Sequence, residues 1–302
     1  MNEAEFIAAL RGLPLHPGAR GLEDDAAMIE IGGEALIVTH DMIAEGVHYL
    51  AGTDPFHIAW KLVAVNLSDL AAKGAEPVGV LIGASLVDRN DRFVAGLKNV
   101  LETYDVPLLG GDTVRPVGLA SFGCTALGRA TTKRVPARNG AKAGDALWVT
   151  GCIGDAGAWL EIVRDKLNLD LIPGSPGSLR YAYEHPRPKL WEGQRLAPQV
   201  HAMMDVSDGL LIDAARMAAA SGLAVTIDLD TVPMSPALQA FKADALAAAT
   251  AGDDYELLFA LHPRARPPVG ATRIGTFSSG NGLSITRAST PVPLPTSLGF
   301  QH

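Results

Sequence analysis

The sequence predicts a mixed α/β protein in two parts, and three observations carry that prediction. Short apolar runs alternate with stretches of helical period through the first half of the chain. The stretch Thr131–Gly144 then breaks the pattern: it is basic, with Lys133, Arg134, Arg138 and Lys142, and has no clear period. A second alternation of apolar runs and helical stretches follows it. The expected division is residues 1–134 and 135–302.

In order, residues 3–10 read as a short helix with Phe6, Ile7 and Leu10 on one face. Ala35–Thr39 is a short apolar strand, with Asp41 just past its end. Thr53-Asp54-Pro55 starts a helix, because proline fits the first helical position. That helix runs to Gly74, with Ala59, Leu62, Val63 and Leu70 on its buried face. Asn66, Asp69 and Lys73 fall at helical spacing and make a polar stripe on it. Pro77–Leu86 reads as a strand, and Asp91–Tyr104 as a helix with Val94, Leu97, Leu101 and Tyr104 in phase. Val106–Leu109 is a strand running into Gly110-Gly111-Asp112, and Ser121–Leu127 is another strand.

Past the junction, Ala146–Thr150 is a strand, Gly151–Gly157 a glycine-rich turn and Trp159–Lys166 a helix. Pro173–Pro188 is rich in Pro and Gly and reads as loop. Gly209–Ala220 is a helix with Ser207 or Asp208 as its N-cap. Leu223–Leu229 and Leu257–Leu261 are strands, and the tail from Ala288 is Pro-rich until Gly299-Phe300.

The chain has 302 residues, 48% hydrophobic and 19% charged, which suffices for a sizeable core. The formal net charge is −8 and no basic stripe offsets it, which argues against a nucleic-acid partner. An acidic protein can still bind anionic nucleotides when Mg²⁺ bridges the two. Cys124 and Cys152 are far apart, so they read as buried structural thiols rather than a metal or disulfide set. No apolar run reaches the roughly 20 residues of a membrane span. The acidic, amphipathic start is unlike a signal peptide, and the expected location is the cytoplasm.

Six acidic clusters punctuate the chain: Asp24-Asp25, Asp41, Asp69, Asp112, Asp205 with Asp208, and Asp253-Asp254. Most end an apolar run or open a turn, positions from which side chains can converge on one cleft. Carboxylates sharing a cleft repel unless cations neutralise them. Mg²⁺ takes oxygen ligands and commonly shares substrate phosphates. The pattern predicts a metal-dependent enzyme acting on phosphates. No GxxxxGK(S/T) loop is present, and Gly151-x-x-Gly154-x-x-Gly157 lacks the GxGxxG spacing, so that turn reads as tight packing. Taken singly, Asp69 reads as well as a structural hydrogen bonder, and the Asp of GGDT as a turn residue. Capping accounts for only one of the three polar side chains in MDVSDG.

Taken together, DDAAM, THDMIAEGVH, VNLSDLAAKGAEP, LLGGDT, AKAGDALWVTG, MDVSDGL and AGDDYEL stand in an order and spacing that resemble the thiamine-monophosphate kinase family. That family lies in the superfamily of aminoimidazole ribonucleotide synthetase. The resemblance covers roughly residues 20–300. It implies an N-terminal half-barrel domain pairing across a homodimer, and a C-terminal α/β domain closing the active site. It implies transfer of the γ-phosphoryl of ATP to thiamine monophosphate, with several Mg²⁺ ions per site. Carried onto this chain, Asp25, Asp41, Asp69, Asp112, Asp205 and Asp208 would hold the metals, with Thr39 and His40 beside them. Gly111, Asp112, Arg138 and Ser207 would contact ATP. His48, Asp253 and Phe300 would face the thiamine phosphate. No residue is implied as a general base.

Three positions depart from the family pattern. Glu23 stands where Gly usually precedes the paired acids, His40 where a hydroxyl residue is common, and Asp253 where Glu is more common. Two other readings remain open. One is another ATP-dependent enzyme of the superfamily, such as a selenophosphate synthetase, an aminoimidazole ribonucleotide synthetase or a hydrogenase-maturation protein. The first of these usually carries a reactive Cys near its start and the last ends in Cys, whereas here no Cys precedes Cys124 and the chain ends Gln301-His302. The other is a silent nucleotide-binding homologue, against which the full set of six metal carboxylates speaks.

Overall fold

A computed structural model describes residues 3–86 and 88–301. The first part runs α1 (Glu3–Leu10), β1 (Ala27–Ile31), β2 (Glu34–Ala44), α2 (Pro55–Ala72), β3 (Ala75–Ser85), α3 (Asn90–Tyr104), β4 (Leu108–Val114) and β5 (Ser121–Ala130). Its sheet has the order β1-β2-β5-β3-β4, antiparallel throughout except for the β3–β4 pair. Helices α2 and α3 cover one face, and their apolar side chains close a core with Ile37, Ile43, Val80, Phe122 and Ala126.

The second part runs β6 (Ala146–Thr150), α4 (Asp155–Arg164), α5 (Pro176–Glu184), α6 (Leu190–Leu196), β7 (Ala202–Asp205), α7 (Leu210–Ala220), β8 (Ala224–Asp228), α8 (Pro236–Phe241), α9 (Ala245–Thr250), β9 (Leu257–Leu261), β10 (Ala271–Ser278), β11 (Gly282–Arg287) and β12 (Thr290–Val292). Its sheet has the order β12-β11-β8-β10-β6-β9-β7. Helix α7 and the α9 segment pack on one face around Leu147, Val149, Leu211 and Phe277. On the other face Trp148, Met203 and Phe259 meet Leu196 of α6 and Ala71 and Ala72 of α2.

Helix α2 therefore belongs to both cores. Asp54 caps it, its side chain accepting from the Phe56 N–H at 3.0 Å, and Pro55 stands at its first position. From Ile58 to Ala72 every residue is buried. The polar stripe read from the sequence is no solvent face: Asn66 is 0%, Asp69 8% and Lys73 1% exposed.

Several elements differ from the sequence expectation. β2 does not stop at Thr39 but pairs with β5 from Leu36–Arg129 through Ala44–Ser121, which puts Asp41 in mid-strand. The polar pair His40-Asp41 ends the apolar run without ending the ladder, because backbone pairing continues past it. Gly110, Gly111 and Asp112 lie inside β4 rather than after it. Gly111 has φ 154°, and a Cβ there would sit 1.9 Å from the Ile82 carbonyl oxygen, so only glycine allows this strand approach. Within the expected loop 173–188, Pro176 opens helix α5, which buries Leu179 and Tyr183. Neither Ser207 nor Asp208 caps α7; Gly209 holds that position without a side-chain bond. Cys124 is buried, but Cys152 is exposed. Among the described residues no helix is long and apolar enough to cross a membrane.

Candidate active site

The site builds on α2. Its Asn66 accepts the Asp41 N–H through Oδ1 at 2.8 Å and donates through Nδ2 to Leu62 O at 2.9 Å, which locks β2 against the helix. Asp69, one turn on, accepts a short hydrogen bond from the Thr39 hydroxyl. Ser68 reaches the other domain and donates to Asp205 Oδ2, at the end of β7, at 2.5 Å. One helix thus gathers carboxylates from both sheets.

Burial first, and then their mutual repulsion, shifts their acidities. Burial raises the Asp69 carboxyl well above its ordinary range, and Asp41, Asp205 and Asp25 raise it further against the Thr39 hydrogen bond. Burial and Asp25 push Asp205 up to about 8, against the Ser68 hydroxyl. Burial also raises Asp41, against the opposing charge of His40 and with further upward pushes from Asp25 and Asp208. Asp25, Asp41, Asp69, Asp205 and Asp208 therefore form one electrostatic cluster.

Cations of the chain itself border this cluster. Asp25 lies 2.7 Å from Lys73 Nζ and 2.6 Å from Arg138 Nη2. Asp24 takes Lys73 and Arg20, and also accepts the Arg138 backbone N–H at 3.2 Å. Arg216 closes on Asp208 and lies 2.9 Å from Asp213. Arg138 Nε is buried with no hydrogen-bond partner. Among the described residues, no group of three or more His, Cys, Asp and Glu side chains is arranged to hold a metal ion as it stands. The donor chemistry nevertheless suits Mg²⁺: hard carboxylate oxygens, partly buried, whose mutual repulsion a further cation would relieve.

Ser207 and Asp208 lie on a turn organised from behind. Asp213 Oδ2 accepts the backbone N–H groups of Ser207, Asp208 and Gly209 at 3.2, 3.1 and 3.2 Å. Ser207 O in turn accepts the Asp253 N–H at 2.7 Å, joining this turn to the Gly252–Tyr255 segment.

On the far side of α2, Asp253 Oδ2 lies 3.0 Å from Lys61 Nζ, and its Oδ1 accepts from the Tyr255 hydroxyl at 3.0 Å. His48 Nδ1 accepts the Ala44 N–H at 3.2 Å. A neutral His48 ring therefore carries its proton on Nε2, the form that donates to an anion. Next to Asp253 in the chain, Asp254 Oδ1 accepts the Gly154 N–H at 2.7 Å. Phe300 is half-exposed, and its backbone N–H donates to Asp208 O at 2.8 Å, which fixes the tail beside α7.

Two expected metal residues lie elsewhere in this chain. Paired residues of neighbouring strands share a face. His40 pairs with Thr125, and Asp112 with Gly83, in rows flanking that of Asp41, so both project from the exposed face of the first sheet. His40 Nδ1 meets Thr125 Oγ1 at 2.8 Å, and Asp112 accepts the Thr113 N–H at 2.8 Å. Sequence reading missed Lys61, Asp213 and Arg216. Only Asp213 left a signal: an acid five residues after Asp208 on the same helix start.

The fold and this carboxylate cluster define a two-domain protein of the aminoimidazole ribonucleotide (AIR) synthetase class. Residues 23–130 match the AIR synthase related protein N-terminal domain, and residues 142–290 its C-terminal domain. A thiamine-monophosphate kinase of Caulobacter vibrioides is 35% identical over 95% of this chain and 86% of its own. Among solved structures, AaThiL complexed with AMPPCP and TMP superposes with a TM-score of 0.85 at 27% identity, covering 99% of this chain and 96% of that one. The thiamine-monophosphate kinase of Stenotrophomonas maltophilia gives 0.78 at 35% identity, over 95% and 96% of the two chains. This chain belongs to the thiamine-monophosphate kinase family.

Proposed function

We propose that this protein phosphorylates thiamine monophosphate with ATP, giving thiamine diphosphate and ADP by direct in-line transfer. The observation that carries the reading is the carboxylate cluster gathered by α2 from both domains, in a chain similar over nearly its whole length to AaThiL complexed with AMPPCP and TMP.

Asp25, Asp41, Asp69, Asp205 and Asp208 would hold Mg²⁺, with Thr39 beside them. When bound, the metal neutralises and aligns the phosphates of both substrates. The acceptor is a phosphate monoester with a second pKa of about 6, so at neutral pH it is mostly a dianion and a competent nucleophile. It needs no base, and the cluster supplies none. What remains is alignment and charge neutralisation, the main contributions to catalysis of phosphoryl transfer. Arg138, held by Asp24 and Asp25 with its Nε unsatisfied, would engage the ATP phosphates together with Ser207 and Gly111. His48 would donate Nε2–H to the acceptor phosphate, and Asp253 and Phe300 would hold its thiamine part.

Pairing with a second copy belongs to the same proposal. The exposed face that carries His40 and Asp112 also carries Met42, Leu81 and Val114, three large apolar side chains open to solvent. A homodimer would cover them and bring the second copy's Asp112 toward a cleft its own chain leaves it far from.

The test is incubation with ATP, Mg²⁺ and thiamine monophosphate, with products separated by chromatography. Thiamine diphosphate and ADP are expected in equal amounts. Conversion of unphosphorylated thiamine at a similar rate, or of neither acceptor, refutes the reading.

A further inference from the structure

Lys61 is a lysine almost wholly removed from water. It sits in the first half of α2, 2% exposed, among apolar neighbours. Burying an ammonium is costly unless each N–H finds a partner. Here three features of one small region supply them. Asp253 Oδ2 lies at 3.0 Å, the His48 carbonyl oxygen at 2.9 Å, and the Tyr183 ring centroid at 4.0 Å. The Tyr183 hydroxyl donates to the same His48 carbonyl at 3.2 Å. The three partners come from the turn after β2, from α5 and from the segment before β9.

The Asp253 segment needs such an anchor. Asp253 has φ 68° and Tyr255 φ 51°, two non-glycine residues in the left-handed region within three positions. Residues held there persist only where the surroundings over-determine them. The backbone bonds Asp253 N–Ser207 O and Tyr255 N–Val206 O, both 2.7 Å, fix one side of the segment. Lys61 fixes the other, from its side chain.

We infer that Lys61 is a positioning residue for the phosphorylated acceptor: its one buried ammonium holds Asp253 and the His48 turn in a fixed relation across the domain boundary. The inference rests on the reading above that His48 and Asp253 face the acceptor. It adds that this chain's Asp, one methylene shorter than the more usual Glu, is engaged inward by Lys61 and Tyr255. Asp253 then presents only its remaining lone pairs to the acceptor, at a position set by α2. The Lys61 ammonium meets the Asp253 carboxylate and the His48 carbonyl, whereas Ser207 is tied to Asp253 only through the backbone Asp253 N–H, so the effect of Lys61 should fall on the acceptor rather than on ATP.

The experiment is steady-state kinetics of the full chain with thiamine monophosphate and ATP varied separately, for wild type, Lys61→Met, Lys61→Arg, Asp253→Asn and the Lys61→Met/Asp253→Asn double variant. Losing a hydrogen bond to a charged group corresponds to a rise of about tenfold in acceptor KM for Lys61→Met, with ATP KM within about twofold. Lys61→Arg, which keeps the charge, should recover part of that rise. The double variant should be within about twofold of the worse single variant, because both remove one link. Should Lys61→Met fail to fold, Asp253→Asn perturbs the same pair from its more exposed end and should raise acceptor KM alone. Equal rises in both KM values, or fully multiplicative single effects, overturn the positioning role. A wild type that does not turn over thiamine monophosphate overturns the functional reading instead, and this inference with it.

Discussion

Lys73→Met removes a buried cation from the centre of the first acidic pair while keeping chain length and most of the volume. In the native chain the Lys73 ammonium lies 2.7 Å from Asp25 and also bonds Asp24, and its side chain is 1% exposed. Burial alone would lower its pKa, but Asp25 and Asp24 more than reverse this and raise it. Burial likewise opposes ionisation of Asp24, yet Lys73 and Arg20 leave its carboxyl below the ordinary range. Without Lys73, Asp25 keeps only Arg138, and Asp24 keeps Arg20 and backbone N–H groups. Removing one partner of a buried pair costs about 3–5 kcal/mol. At about 2 °C per kcal/mol for a chain of this size, the melting temperature should fall by about 6–10 °C. The acid limb should also change. A carboxyl lowered in the folded state contributes stability above its unfolded pKa and loses it as pH falls through the folded value. Without Lys73 the Asp24 pKa rises, so that contribution shrinks, and the gap between wild type and variant should narrow below about pH 4. Scanning calorimetry from pH 3 to pH 8 measures both effects. Adding Asp24→Asn should return part of the loss, because the uncompensated charge goes with it. A Lys73→Met melting temperature within about 2 °C of wild type at pH 7, or penalties that simply add in the double variant, would refute the argument.

Other outcomes follow from the same structure. Asp205→Asn, at the meeting point of Ser68 and the cluster, should lower kcat by orders of magnitude, whereas Asp170→Asn, on an exposed turn, should not; near-normal Asp205→Asn turnover at saturating Mg²⁺ would remove it from the metal set. Phe300→Ala should raise KM for thiamine monophosphate several-fold with kcat little changed, since an aromatic face attracts a cationic ring by about 0.5–2 kcal/mol far from the transferring group. Phe300→Tyr should be nearly silent, and an unchanged acceptor KM in Phe300→Ala assigns the ring to packing. His185 is lowered to about 4 by burial and by neighbouring His57. A histidine held neutral when folded loses stability as pH falls from its unfolded pKa of about 6.5 through 4. His185→Phe should therefore flatten the melting profile between pH 6.5 and pH 4, and parallel profiles would contradict the assignment.

Much of this architecture was legible because its signals are local. The start of α2 follows from Thr53-Asp54-Pro55, and the Asp54 cap is the bond that the motif predicts. β9 is an uninterrupted apolar run and β6 is one up to Thr150, and every residue of both is buried. Where the reading fell short, the deciding partner was distant in sequence. β2 continues past His40-Asp41 because β5 pairs with it there and Asn66 satisfies the Asp41 N–H. Helix α5 buries only Leu179 and Tyr183, too thin a stripe to outweigh the Pro and Gly around it. The convergence of Asp25, Asp41, Asp69 and Asp205 was visible as a pattern of acids at the ends of apolar runs. The cations among them were not. A lysine such as Lys61 or Lys73 on an amphipathic helix reads as surface, and only Asp253 or Asp24, on other elements, shows that it is buried.

Because α2 has almost no solvent-facing side, it works mechanically as a shared axle. Its first half is set in the first sheet's core, its last turn in the second sheet's, and its polar side chains are fastened to both. A hinge between two domains needs a plane along which few contacts break, and no such plane passes α2 without stripping Ser68 from Asp205 and Lys61 from Asp253. The frame that sets the carboxylates is thus fixed by α2 itself, whereas the tail at Phe300 is half-exposed. An enzyme built this way would gain its alignment at folding rather than at each turnover.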